Sequence, residues 1–140
     1  MIWFKTYPLA DVNRIFDSYM TKLLEIKAVE IQDNLIKATM PITNNVRQPF
    51  GILHGGASVV LAESIGSVAS NLIVDPDKYY GVGLDINANH VKSATEGLLT
   101  ATCLPLHIGK TTHVWDIKIH DDKQQLICIS RLTVAIVEKK

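Results

Sequence analysis

From Gly55 to Val74 the chain reads GGASVVLAESIGSVASNLIV, twenty residues without a proline and with one charged side chain, Glu63. That length exceeds what one strand needs, so the run predicts a largely buried helix, opened by the glycine pair and stopped by Asp75-Pro76-Asp77. A helix that is apolar nearly all round has to be enclosed by the rest of the fold, and the downstream sequence supplies strands to do so. In YYGVGLDINANH the even positions Tyr80, Val82, Leu84, Ile86 and Ala88 are apolar, a period of two ending at His90. The segments GLLTATCLPL, TTHVWDIKIH and LICISRLTVAIV follow, separated by HIGK and DDKQQ. Four successive strands with short connections predict an antiparallel meander.

Upstream, Val12, Ile15, Phe16, Tyr19, Met20 and Leu23 recur at three- and four-residue spacings, which predicts one amphipathic, surface-lying helix over residues 9–24. The segment EIKAVEIQDNLIKATMPI reads as a β-hairpin around Gln32-Asp33-Asn34. Together these elements predict an α+β domain, an antiparallel sheet of five to six strands wrapped around one long central helix. At 140 residues a single domain, 1–140, is expected.

The charge balance narrows the possible partners. Fourteen basic and fourteen acidic residues leave no net charge, so there is no field to gather nucleic acid or an anionic membrane, and neither partner is expected. The N-terminus lacks a basic segment followed by a long apolar one, and no run reads as a membrane span. Cys103 and Cys128 lie in alternating apolar segments without Cys-x-x-Cys spacing, as buried free thiols of a reducing cytoplasm would. His113 and His120 lack ligands at metal spacing, so neither a metal nor another cofactor is expected, and Trp115 reads as core or interface.

Glu63 is the anomaly. An ionised carboxylate is costly to bury, so it should be paired, neutralised or employed. Ser67, four residues on, shares its helix face. At the helix start Gln48, His54 and the amides of Gly55 and Gly56 cluster where unpaired N–H groups and the dipole favour negative charge, and glycine admits a carbonyl close to that backbone. Eight residues of helix separate Gly55 from Glu63 by about 12 Å, too far to share one carbonyl easily. A two-fold dimer, one chain giving the oxyanion donors and the other the carboxylate, would bring them together and would also pair an exposed sheet edge. On spacing alone, a solvated Glu63, a capping His54 and a plain glycine turn account for these residues almost equally well.

The block QPFGILHGGASVVLAESIGS, continued by VGLDINANHVKS, PLHIGKTTHVW and SRLTVAIVE, resembles the hotdog-fold thioesterases of the phenylacetate-type branch, above all the bacterial aroyl-CoA thioesterases. The resemblance spans almost the whole chain. It implies a hotdog dimer, extended to a dimer of dimers, with active sites at the subunit interface and hydrolysis of an aroyl-CoA without metal or redox cofactor. The acyl groups it implies are the dihydroxynaphthoyl group of menaquinone synthesis or a hydroxybenzoyl group on a siderophore carrier protein. It implies Glu63 as general base or nucleophile, Gln48, His54 and Gly55 as the groups that orient and polarise the carbonyl, and Ser67 as a positioner of the water or the carboxylate. It also implies contacts to the CoA ester from Gly83, from His90, Val91, Lys92 and Ser93, and from His107, Ile108, Gly109, Lys110, Thr111 and Thr112, with Lys92 and Lys110 meeting phosphates. The family often carries Asn and Asp where this chain has Gln48 and Glu63, a departure that matches the aroyl-CoA branch and leaves base and nucleophile both open. Lys92 stands where related chains often carry arginine, which removes a bidentate grip on phosphate. Two other activities fit the scaffold, a dehydratase and a non-catalytic acyl-CoA-binding protein; the first lacks a second suitably placed carboxylate, and the second has no need of Glu63.

Overall fold

In the computed structural model, which describes residues 1–140, the apolar run forms helix α3, Gly55–Ile73. Two short helices precede it, α1 (Leu9–Phe16) and α2 (Tyr19–Leu23), together with strands β1 (Lys27–Ile31) and β2 (Ile36–Pro41). Four strands follow, β3 (Tyr79–His90), β4 (Leu98–Ile108), β5 (Thr112–His120) and β6 (Leu126–Glu138). All six strands join one antiparallel sheet in the order β1-β2-β4-β5-β6-β3. The sheet wraps α3, whose Leu61, Ala62, Ile65 and Ala69 are wholly buried against residues such as Ile117 and Leu132. Each large aliphatic side chain enclosed this way contributes about 1.5–3 kcal/mol. Small residues set the helix-to-sheet distance: a Cβ on Gly66 would lie 2.5 Å from Leu132 Cδ2.

Four expectations change. First, only β4, β5 and β6 form a meander; β3 leaves α3 at the far side of the sheet and pairs with β6, which makes it an edge strand. Second, the helix expected over residues 9–24 is broken at Asp17-Ser18. Thr21 Oγ1 donates to the carbonyls of Phe16 (2.7 Å) and Ser18 (3.0 Å), and Tyr19 takes φ +50°. Local side-chain-to-backbone bonding here displaces the helical ladder. Third, the period of two in β3 is interrupted. Gly83 pairs with Val134 and Asp85 with Thr133, leaving Leu84 as a bulged residue, 66% exposed. Before the bulge Gly81 and Gly83 face α3; after it Ile86 and Ala88 pack on the core. Fourth, α3 has 19 residues and a mean hydropathy of 1.3, long and apolar enough to cross a membrane, although no such run was read in the sequence; 56% of that stretch is buried inside the fold. The hairpin β1–β2 and the free, buried Cys103 and Cys128 are as expected, and burial pushes both thiols up, which keeps them protonated and inert.

Candidate active site

The loop before α3 is tied down by its own backbone. Gln48 N–H donates to Ile52 O at 2.9 Å and Gly51 N–H to Gln48 O at 2.8 Å, with Gly51 in the left-handed region at φ +82°. The Gln48 carboxamide oxygen accepts from Phe50 N–H, which leaves its NH2 as the outward donor. Arg47, which sequence reasoning passed over, braces the same loop by donating to the carbonyls of Gly51 and Thr95.

His54 is the N-cap residue of α3, and its Nδ1 accepts the Gly56 N–H at 2.8 Å. A ring nitrogen that accepts carries no proton, so the neutral ring holds its proton on Nε2 as a free donor. The capping role that spacing allowed is therefore real, and it also fixes the tautomer that a carbonyl-polarising histidine needs. Gly55 follows, with a first-turn amide that has no partner in the helix ladder. A Cβ on Gly55 would lie 2.8 Å from His90 Nε2, so the exposed His90 ring rests against this helix start and would have to shift for a larger residue.

Two turns along α3, Glu63 is half-buried and no ion pair of the chain includes it. Its Oε1 lies 2.5 Å from where a Gly83 Cβ would be, so the glycine of β3 makes room for the carboxylate. Asn71, also unforeseen, holds this geometry. Its Oδ1 accepts from Gly81 N–H (2.8 Å), and its Nδ2 donates to Gly81 O (3.1 Å) and to Ser67 O (2.8 Å). One side chain thus joins the helix that carries Glu63 and Ser67 to the strand that carries Gly83.

Glu63 and Ser67 open into a cavity of about 370 Å³, walled by Val60 and Val68 of α3 and by Ile15, Phe16 and Met20 of α1 and α2. Gly55 opens elsewhere, into a cavity of about 330 Å³ that it shares with His90, Val91, Lys92 and Ser93. Ile108, Gly109, Lys110 and Thr111 line a third cavity, at the C-terminal end of α3; His107 packs against Gly109, and Thr112 starts β5. Within one chain the structure therefore gathers Glu63 with Ser67 and Gly83, and Gly55 with the His90–Ser93 run. It does not bring Glu63 to Gln48, His54 or Gly55, as the helix geometry required. Lys92 Nζ donates to Gln125 Oε1 at 2.7 Å, which uses one of its three N–H donors.

His113 has a structural place. It is buried, its Nδ1 stands 3.1 Å from Ser70 Oγ, and Trp115 Nε1 donates to the same oxygen at 2.8 Å. Burial pushes its pKa below the ordinary histidine value, opposed by a backbone hydrogen bond at Gly109. No three His, Cys, Asp or Glu side chains converge as metal ligands do.

The thioesterase superfamily model matches residues 50–128, a span that holds the glycine-rich start of α3, Glu63 and strands β3 to β5. The chain belongs to the thioesterase superfamily, as a thioester hydrolase of the hotdog fold. It is 50% identical over 137 residues to the 1,4-dihydroxy-2-naphthoyl-CoA hydrolase of Escherichia coli, covering 98% of this chain and 100% of that one. It is 39% identical to a proofreading thioesterase of Cronobacter sakazakii, covering 98% of this chain and 99% of the relative. A crystal structure of a mutant thioesterase from Pseudomonas aeruginosa superposes with a TM-score of 0.97 at 45% identity, over 99% of this chain and 100% of that chain. Two mutant structures of one Staphylococcus aureus protein, both 46% identical, have TM-scores of 0.84 and 0.83 over 86% and 85% of this chain and 100% and 98% of theirs. One carries alanine for a glutamate and the other alanine for a glutamine, at positions fifteen residues apart, the separation of Gln48 and Glu63 here.

Proposed function

We propose that this thioesterase hydrolyses an aromatic acyl-CoA, with 1,4-dihydroxy-2-naphthoyl-CoA, the substrate in the name of the E. coli relative, as its principal substrate and menaquinone synthesis as its setting. The observation that carries this reading is Glu63, an unpaired carboxylate over Gly83 at the mouth of an apolar cavity. The cavity takes the acyl group, and the carboxylate meets the carbonyl carbon at its edge.

In the reaction Glu63 takes a proton from water as its oxygen attacks the thioester carbonyl. The oxyanion that forms accepts from the Gly55 N–H, from His54 Nε2–H and from the Gln48 NH2, the three donors that the helix start leaves open. Collapse breaks the C–S bond, the thiolate of CoA takes up the proton held by Glu63, and the free acid departs. Direct attack by Glu63, giving a mixed anhydride that water then opens, uses the same groups. Ser67 positions the water or the carboxylate. His90–Ser93 and His107–Thr112, with Gly83, contact the CoA side, where Lys110 and Lys92 meet phosphate.

The complete site is an interface between two copies, Glu63 from one and Gln48, His54 and Gly55 from the other. Three features support this. The donors and the carboxylate open into different cavities of one chain. Glu63 lies over an edge strand of twelve residues, and that edge carries exposed Val82 and Leu84. An unpaired edge of that length recruits another strand. Dimers pair further into a tetramer, and two unlinked thiols suit the cytoplasm.

A thiol-release screen of benzoyl, 2-naphthoyl, dihydroxynaphthoyl and alkyl thioesters on CoA and on an acyl carrier protein tests the substrate. Preference for dihydroxynaphthoyl-CoA supports the reading. Preference for a carrier-bound hydroxybenzoyl group assigns the chain to siderophore proofreading instead; the Cronobacter relative is named a proofreading thioesterase.

A further inference from the structure

We infer that the corner between α1 and α2 is the wall that sets which aromatic acyl group the enzyme accepts, with Ile15 and Met20 touching the ring; the inference rests on the aroyl-CoA reading above. The cavity of about 370 Å³ beside Glu63 falls in the size range of small-molecule sites. Glu63 is the only ionisable residue lining it, and Ile15, Phe16, Met20, Val60 and Val68 make it otherwise largely apolar. That composition fits an uncharged ring whose reacting carbonyl points at the carboxylate.

The wall combines a fixed part with an exposed part. Phe16 is buried in the core, whereas Ile15 and Met20 are 49% and 58% exposed although they face the same cavity. Large apolar side chains held in water beside a catalytic carboxylate gain their burial when a ring enters. Their backbone is already set. Asn13 exchanges two hydrogen bonds with Ala28 of β1, at 2.8 and 3.0 Å, which pins α1 to the sheet. Thr21 ties the break to the carbonyls of Phe16 and Ser18, and Tyr19 turns the chain at φ +50°. The break at Asp17-Ser18 thus fixes Ile15 of α1 and Met20 of α2 over the same hollow. Such a preformed wall discriminates by volume, and the volume of a few atoms in an apolar pocket is worth roughly tenfold or more in kcat/KM.

Filling the hollow tests this. Ile15→Trp and Met20→Trp, with Leu23→Trp on α2 but outside the cavity as the control, are assayed by thiol release with 2-naphthoyl-CoA and benzoyl-CoA, and their assembly is followed by light scattering. The expected result is a fall of roughly tenfold or more in the naphthoyl-to-benzoyl ratio of kcat/KM for the two cavity variants, no change in the ratio for Leu23→Trp, and an unaltered mass. An unchanged ratio places the ring elsewhere and overturns the inference. A changed mass does so too, by making the hollow a contact between copies of the chain. Failure of the unmodified enzyme on every aroyl thioester, with alkyl esters hydrolysed, overturns the aroyl-CoA reading itself and this inference with it.

Discussion

The two halves of α3 handle their polar groups in opposite ways. In the C-terminal half every polar side chain that meets the sheet is partnered. Ser70 Oγ serves His113 and Trp115, and Asn71 takes both the N–H and the carbonyl of Gly81. In the N-terminal half the Gly55 amide, the outer nitrogen of His54 and the Glu63 carboxylate are left without partners in the chain. Folding explains the first set, since a buried polar group left unmatched costs free energy. The second set is held in place by the fold and left open, as the reaction proposed above requires. The same helix is thus braced against the sheet at one end and open at the other.

The largest effect should come from the open half. Glu63→Gln keeps the size of the side chain and removes its basicity, so kcat should fall at least about a hundredfold while the midpoint of urea unfolding stays within error. Gly83→Ala should come next, because its Cβ meets Glu63 Oε1 at 2.5 Å and must push the carboxylate aside. Steady-state assay should find kcat lowered roughly tenfold or more, with little loss of stability.

Breaking the partnered half should reverse this pattern. Ser70→Ala leaves Trp115 Nε1 buried and unmatched, so urea unfolding should show a loss of about 1–3 kcal/mol, with kcat per folded molecule nearly unchanged. A large fall in kcat at normal stability would erase the division between the halves. The smallest effect is the pH response. His113 is buried with a depressed pKa, so folding favours its neutral form. Its contribution to stability is complete above the unfolded value of about 6.5 and is lost as the pH falls toward the folded one. Urea midpoints measured at neutral pH and near pH 5.5 should therefore converge in His113→Gln relative to the unmodified protein.

Much of this molecule is legible from local sequence, and the illegible parts share a cause. The length and composition of the Gly55–Val74 run define the helix, and alternation defines the strands, because both follow from burying one face. The reactive block is legible for a similar reason: Gln48, His54, Gly55 and Glu63 lie within sixteen residues, so helix geometry alone relates them. The bulge at Leu84, the docking of β3 on β6 and the break at Asp17-Ser18 depend on contacts made elsewhere in the chain. Asn71 reads as an ordinary polar residue near a helix end, and its role exists only because Gly81 stands opposite. His113 looked idle for want of metal partners, yet Ser70, forty-three residues away in the chain, gives it a structural one.

Helix geometry separates Glu63 from Gln48, His54 and Gly55 of its own chain, and that separation is what two subunits would have to bridge. Complementation between subunits measures this directly. A heterodimer of one Glu63→Gln chain and one Gln48→Ala,His54→Ala chain, made by co-expression with two different affinity tags, contains one doubly damaged site and one intact site if each site takes its groups from both chains. The expected activity is about half that of the unmodified dimer, from two parents that are each nearly inactive. A heterodimer as inactive as its parents would place the carboxylate and the donors in the same chain and contradict the shared site.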